Sequence, residues 1–493
     1  MDINISNEND KPLYISYSYL RETFLKNYKL NLFIIFITIA YSLYEIYYRN
    51  ILYKYSFDLE KSIQENISNS ISIVSYLTKI GGKEFIRLII SIMFLFFPIV
   101  KAMFFIVGIY LNIEINFIMK LWYADLRPFM EENSLYQGKC ETSYGNPSGH
   151  STLVTYIFLL LFVYIKDINF IKENILIKYF ILGTFIKLIF SVISSRVILG
   201  VHSINQVIYG SLLGFDMFFI FAYMFKLDKM PVSYYKKFFK KRSFIITILF
   251  FIIIIIAKIF INQFIISKNI NIDFVQYNTI INALCKKDVP EYKRFNYDVI
   301  FGSLLIFSIL GGYLGQIFFW YLIDKLYKNK DININKKDVF DFSESIKKNN
   351  GIEFKDLGND DEENSSIGVN NKENEDSNTE NDNVKNYEEE NLLIDELINN
   401  WPENRKLFSS ITNILATLLI VVLCHAGSFF IPSEPDMNDI ILSQIMISFK
   451  NFSSSFLFNS AGLYLIITIT CGPYETLLEK LNKSQNKKIK IFK

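Results

Sequence analysis

Two of the three histidines in this chain fall inside short polar runs set in apolar sequence. His150 closes Asn146-Pro147-Ser148-Gly149-His150, and His202 follows Ser195-Arg196 after five intervening residues. Upstream, Lys120 precedes Arg127-Pro128 with six residues between them. The three clusters supply two imidazoles, two guanidiniums, an ammonium and a hydroxyl. Such a set can hold a phosphate, attack its phosphorus and protonate the oxygen that leaves.

Each cluster alone also has a plainer reading. Lys120 and Arg127 could merely flank a span and snorkel to the interface. Their spacing is close to two helical turns, which puts them on one face if helix continues to Pro128. Pro147 fixes the backbone where a helix is to begin, and Ser148 suits its N-terminal cap. Free backbone N–H groups at that start attract an anion, and Gly149 lets it approach closely. The Ser148 hydroxyl can donate to a phosphoryl oxygen, and His150 points from the same turn. A lone His between two helices, such as His202, is more often structural. Here Gln206 lies one turn along the same face. Its side-chain carbonyl can accept the Nδ1–H of His202 and leave Nε2 as the nucleophilic nitrogen.

The elements that carry these clusters are apolar. Windows at 30–48, 85–119, 151–165, 175–194, 204–225, 243–264, 299–323, 407–430 and 455–471 have almost no charge. Many approach the roughly 17–25 residues that cross a bilayer as helix. The 85–119 stretch reads as two short helices meeting near Pro98–Lys101. The expected fold class is all-α, a polytopic membrane protein with about nine to ten transmembrane helices.

Orientation follows from basic residues. Lys226, Lys229, Lys236, Lys237, Lys240, Lys241 and Arg242 follow the 204–225 span, so that loop is expected in the cytoplasm. The tail with Lys483, Lys487, Lys488, Lys490 and Lys493 falls on the same side by parity. Walking back along the chain puts His202, His150, Lys120 and Arg127 together on the lumenal or external face. The expected organisation is an N-terminal tail, helix and lumenal loop (1–84), a catalytic membrane core (85–325), an acidic cytoplasmic insertion (326–406) and C-terminal helices with a basic tail (407–493). Within the insertion, Asp356 to Glu396 is too rich in Asp, Glu, Asn and Ser to bury a core. A regulatory or partner-binding role for it is the alternative to an inert insertion.

Composition excludes some classes. Net charge is +2, so no nucleic-acid partner is expected. Cys140, Cys285, Cys424 and Cys471 show no close pairing, so neither a zinc site nor a disulfide scaffold is expected. No cofactor or metal is called for. The polar start argues against a cleavable signal, leaving the first span as the address.

Taken together, the clusters resemble the three-part signature of the phosphatidic acid phosphatase type 2 (PAP2) superfamily: K-x6-R-P, P-S-G-H and S-R-x5-H-x3-D. The matching residues are Lys120, Arg127 and Pro128; Pro147 to His150; and Ser195, Arg196 and His202. Gln206 stands where most members have Asp. In this, and in Cys140-Glu141-Thr142, the chain is similar to the glucose-6-phosphatase branch. The resemblance covers about residues 90–225, and the 30–48 span looks additional to the usual nine-helix plan. It implies a PAP2-type helical core and a metal-free phosphomonoesterase in which His202 forms a phosphohistidine and His150 serves as acid, then base. Lys120, Arg127, Ser148, Gly149 and Arg196 would hold the phosphoryl oxygens. It further implies a sugar-phosphate substrate, an endoplasmic reticulum bilayer and a sugar-phosphate transporter as partner.

Other residues weigh less. His425, beside Cys424, reads as a buried structural histidine or a substrate contact. Asp125 and Glu141 could touch sugar hydroxyls or pair with the basic cluster. Asn66-Ile67-Ser68 is a glycosylation sequon in a loop placed lumenally, and Cys140 and Cys285 both fall where a disulfide is permitted. Ile491 stands where a dilysine retrieval signal needs Lys. Two other functions stay open: a lipid or polyprenyl phosphate phosphatase, and a catalytically silent membrane scaffold or transporter.

Overall fold

A computed structural model describes residues 20–67, 71–131, 135, 143–239, 241–268, 296–328, 411, 414–415, 418–419, 422, 451–453 and 455–465. Among these residues the regular structure is entirely helical. The order is α1 Tyr28–Ile67, α2 Ile71–Leu77, a 3-10 turn Thr78–Gly81, α3 Lys83–Phe96 and α4 Ile99–Tyr123. Next come α5 Pro128–Glu131, α6 Gly149–Ile165, α7 Asn169–Glu173, α8 Ile175–Ile198 and α9 Ile204–Phe219, which ends in a π-turn, Ile220–Met224. After the Leu227–Lys229 turn follow α10 Val232–Lys237, α11 Lys241–Lys268 and α12 Asn296–Lys328, with a further π-turn at Phe458–Gly462.

The break expected near Pro98 is present. The Phe97 N–H closes α3 on the Met93 carbonyl, and Pro98 has no N–H with which to continue the ladder. Pro98 instead caps the start of α4. Two helices therefore fit where one hydrophobic run reads as continuous.

α6 is the axis of the core. Tyr156, Ile157 and Leu160 on it are buried, with Phe94, Phe105, Met217 and Phe221 packed in the same apolar core. α9 packs along α6 at very short range. A Cβ at Gly210 would stand 2.5 Å from the Ser148 carbonyl oxygen, and one at Gly214 would stand 2.2 Å from that of Thr152. Only glycine allows this approach. The close approach presses the start of α9 against the start of α6.

The outer surface is apolar. α8 exposes Leu176, Phe180 and Phe190, and α1 exposes Phe33, Phe36 and Ile39, faces that water would not tolerate but lipid does. Among the described residues, four helices are long and apolar enough to cross a membrane: Tyr28–Asn66, Ile99–Glu131, Ile175–Ile198 and Ile204–Met224. Four shorter apolar helices, Phe85–Phe96, Gly149–Ile165, Ile245–Ile261 and Phe307–Ile323, accompany them. The protein is a polytopic helical membrane protein. Lys258 on α11 pairs with Glu114 on α4, both buried, which ties the later helices to the core. The acidic stretch 326–406 lies almost wholly outside the described residues, as do most of the 407–430 span and part of the 455–471 span.

Candidate active site

The three polar clusters sit at neighbouring helix ends. α4 stops at Tyr123 because Ala124 adopts the left-handed conformation (φ 50°), with its N–H bonded to the Lys120 carbonyl. The condition for a shared face, helix continuing to Pro128, is therefore not met. Lys120 and Arg127 do not share a helix face; the 124–127 turn instead folds Arg127 back toward Lys120. Both then meet Ser143: Lys120 Nζ lies 3.2 Å from its Oγ, and Arg127 Nη2 donates to the same Oγ at 2.7 Å. Arg127 Nε also donates to the Ser143 carbonyl (2.7 Å), and Nη1 donates to that of Val201 (2.9 Å).

Arg127 reaches the third cluster directly. Its Nη1 is 3.2 Å from His202 Nε2. On the other side of the ring, His202 Nδ1 is 3.4 Å from Gln206 Oε1. That oxygen also accepts the Ser203 N–H (3.2 Å), while Gln206 Nε2 donates to the Leu126 carbonyl at 2.9 Å. The Gln206 amide is thus oriented from both ends. An oriented acceptor at Nδ1 selects the Nδ1–H tautomer and leaves a lone pair on Nε2 facing the guanidinium. His202 and Arg127 are fully enclosed by protein.

The second cluster begins with a cis Asn146–Pro147 bond. Ser148 occupies the N-cap of α6, as its sequence position suggests, yet its side chain makes no capping bond. Its hydroxyl is buried and accepts from Ser151 Oγ at 3.1 Å, and its N–H donates to the Gln206 carbonyl at 3.0 Å. Gly149 faces α4: a Cβ there would lie 3.2 Å from Asn116 Oδ1. Asn116 Nδ2 in turn reaches Thr152 Oγ1 at 3.2 Å.

Arg196 and His150 each touch the 78–81 turn, at Thr78 and at Gly81. Arg196, fully buried near the end of α8, donates from Nη1 to Thr78 Oγ1 at 2.6 Å. His150 is half-buried and packs on Gly81, where an added Cβ would come within 2.8 Å of its Cδ2. Tyr144, beside Ser143, has its phenol pushed up to about 12 by burial, so it remains a neutral hydrogen-bonding group.

Several contributors were missed in the sequence: Thr78, Asn116, Ser143 and a row on α1. Glu45, Arg49, Tyr53, Ser56, Glu60 and Gln64 recur every three or four residues, one face of a helix. A polar face on a helix that begins as a span was the available signal. Asp125 pairs with Arg49 at 3.1 Å. Cys140, Glu141, Thr142, Cys285, Cys424 and His425 lie outside the described residues.

Arg127 lies against the His202 imidazole and meets Lys120 at Ser143, and guanidinium and ammonium groups brought together in this way are suited to binding a tetrahedral anion. Among the described residues no His, Cys, Asp and Glu grouping could hold a metal ion. Comparison with curated proteins finds no match. Among solved structures, a transmembrane PAP2-type phosphatidylglycerolphosphate phosphatase from Bacillus subtilis is 21% identical, with a TM-score of 0.31; the match covers 39% of this chain and 92% of that one. Residues 101–230 match the family model described as the PAP2 superfamily. The segment holding Lys120, Arg127, Ser148, His150, Arg196, His202 and Gln206 therefore carries the pattern of the PAP2 superfamily.

Proposed function

We propose that the protein is a membrane phosphomonoesterase that hydrolyses glucose 6-phosphate or a related sugar phosphate through a phosphohistidine on His202. The observation that supports this most is the contact of Arg127 Nη1 with His202 Nε2, opposite the Gln206 amide. A phosphate-binding guanidinium and the nitrogen that would attack phosphorus already touch.

In the proposed reaction the Nε2 lone pair attacks phosphorus and the ester P–O bond breaks. His150 gives its proton to the departing sugar oxygen. Water then attacks the phosphohistidine, His150 takes one of its protons, the P–N bond breaks and inorganic phosphate leaves. Arg127, Arg196, Lys120 and the Ser148–Gly149 turn bind the phosphoryl oxygens, where charge builds in the transition state. Arg127 exchanges Nε2 for a phosphoryl oxygen as substrate enters.

The sugar ester is favoured by the resemblance to the glucose-6-phosphatase branch at Gln206 and Cys140-Glu141-Thr142. Gln206 Nε2 donates to the Leu126 carbonyl, a bond the more common Asp could not make. A lipid phosphate is the second reading, supported by an apolar groove between α1 and α9 lined by Ile34, Tyr41, Tyr209 and Phe215. The site is proposed to face away from the cytosol, in an endoplasmic reticulum-type membrane, which would require a sugar-phosphate transporter as partner. The basic residues from Lys226 to Arg242 support that orientation.

The test is phosphate release by purified protein in detergent from glucose 6-phosphate and from phosphatidic acid. Preference for the sugar ester, abolished in His202→Ala, is expected. Preference for the lipid would sink the sugar assignment, and an undiminished His202→Ala would sink the nucleophile.

A further inference from the structure

α1 spans Tyr28–Ile67, a rod about 60 Å long at 1.5 Å per residue, twice the roughly 30 Å hydrocarbon core. Its first part faces lipid, while the face from Glu45 onward turns to the helix ends that hold the proposed site. Glu45 is fully buried there. One of its oxygens, Oε1, accepts from Asn146 Nδ2 at 3.0 Å and from Asn205 Nδ2 at 3.0 Å. Asn146 begins the run that ends at His150, and Asn205 lies between His202 and Gln206. A single carboxylate oxygen on α1 therefore joins the loop of the proposed acid to the loop of the proposed nucleophile.

Neighbouring bonds on the same face restrain the first cluster. Asn146 Nδ2 also donates to Asp125 Oδ2 (2.9 Å), and Asp125 pairs with Arg49, one turn after Glu45. Arg49 donates to the Tyr123 carbonyl (3.1 Å), and Tyr53 donates to that of Leu126 (3.0 Å). The left-handed turn that folds Arg127 back is thus held from α1 at both ends. Catalysis between an acid and a nucleophile on separate loops depends on their spacing, and misplacement by about 1 Å can cost about 10²-fold in rate.

We propose that Glu45 is a positioning residue: by bridging Asn146 and Asn205 it sets the separation of His150 from His202. The inference rests on the proposed phosphohistidine reaction. Glutamine at position 45 retains a carbonyl oxygen that accepts both Asn amides, whereas leucine of similar length accepts neither.

The experiment compares the parent, Glu45→Gln and Glu45→Leu in detergent, using glucose 6-phosphate and an aryl phosphate. Rapid alkaline quench, in which the P–N bond of a phosphohistidine survives, of reactions with phosphate-labelled aryl phosphate counts the sites that form phosphoenzyme. Glu45→Leu is expected to lower kcat per competent site about 10- to 100-fold with KM within about three-fold, while Glu45→Gln stays within about three-fold of the parent. Simple loss of folding would reduce the number of competent sites and leave kcat per site unchanged, which overturns the proposal. If Glu45→Leu cannot be purified folded, Asn205→Leu breaks the same bridge from α9 and must give the same split of kcat from KM. An active parent with an unimpaired Glu45→Leu, or with Glu45→Gln as impaired as Glu45→Leu, overturns this inference alone. A parent that releases no phosphate from either ester overturns the proposed function and this inference with it.

Discussion

Arg127 Nη1 lies 3.2 Å from His202 Nε2 and donates to the Val201 carbonyl at 2.9 Å, so one nitrogen both addresses the imidazole and grips the backbone beside it. Lysine cannot reproduce the Nε, Nη1 and Nη2 contacts at once, because it presents a point charge rather than a fork. Arg127→Lys is expected to lower kcat about 10²–10³-fold, the cost of removing one preorganised oxyanion donor. Steady-state phosphate release measures it, and a loss below about three-fold would contradict the assignment.

Gln206 holds His202 with a neutral amide. In Gln206→Glu the carboxylate would oppose the Leu126 carbonyl and favour a protonated, non-nucleophilic imidazolium. A group favoured in its protonated form loses its proton only at higher pH. The acid limb of the kcat/KM profile is therefore expected to move to higher pH, with reduced activity at neutral pH. An unmoved limb would show that Gln206 does not govern the state of His202.

The 78–81 turn presses on His150. Gly81→Ala places a Cβ 2.8 Å from His150 Cδ2 and 3.2 Å from Val154 Cγ1, with Val154 fully buried on α6. The ring must shift, so kcat is expected to fall about 10-fold or more, given the sensitivity of reacting geometry to small displacements. Because His150 is assigned to protonating the leaving oxygen, the loss should be smaller with an aryl phosphate, whose leaving group needs little protonation. Equal losses on both esters would speak against that role.

Thr78 Oγ1 accepts from Arg196 Nη1 at 2.6 Å. Thr78→Val keeps the shape and removes the acceptor, at a cost of about 1–3 kcal/mol for a buried donor so deprived. Competition by inorganic phosphate should weaken with Thr78→Val and recover with Thr78→Ser. If the two variants compete alike, Thr78 does not orient Arg196.

Glu114 and Lys258 are both buried and paired between α4 and α11. Lys258→Met leaves a buried carboxylate and is expected to destabilise by about 3–5 kcal/mol, whereas adding Glu114→Leu should recover much of that loss. Thermal unfolding in detergent of the single and double variants tests this, and strictly additive losses would refute it.

The sequence by itself determined what is local. Periodicity and apolar runs place the helices, because each closes its own hydrogen bonds within a few residues. Pro98 ends α3 for a reason visible in its own ring. The three clusters were legible because the proposed chemistry requires particular side-chain types at short, exact intervals: Lys120 with Arg127, Ser148 with His150, Arg196 with His202. Tertiary structure decided what depends on helix rotation and on contacts between distant positions. The left-handed Ala124 ends α4 before Arg127, so Lys120 and Arg127 share no helix face, and hydropathy carries no sign of it. Glu45 meets Asn146 and Asn205 across 101 and 160 residues, and Arg196 meets Thr78 across 118. A window average that identifies a span erases the few polar residues on one face. Only packing of α1 against the ends of α4, α6 and α9 shows which of those residues turn inward, because a buried polar group must find a partner wherever the fold supplies one.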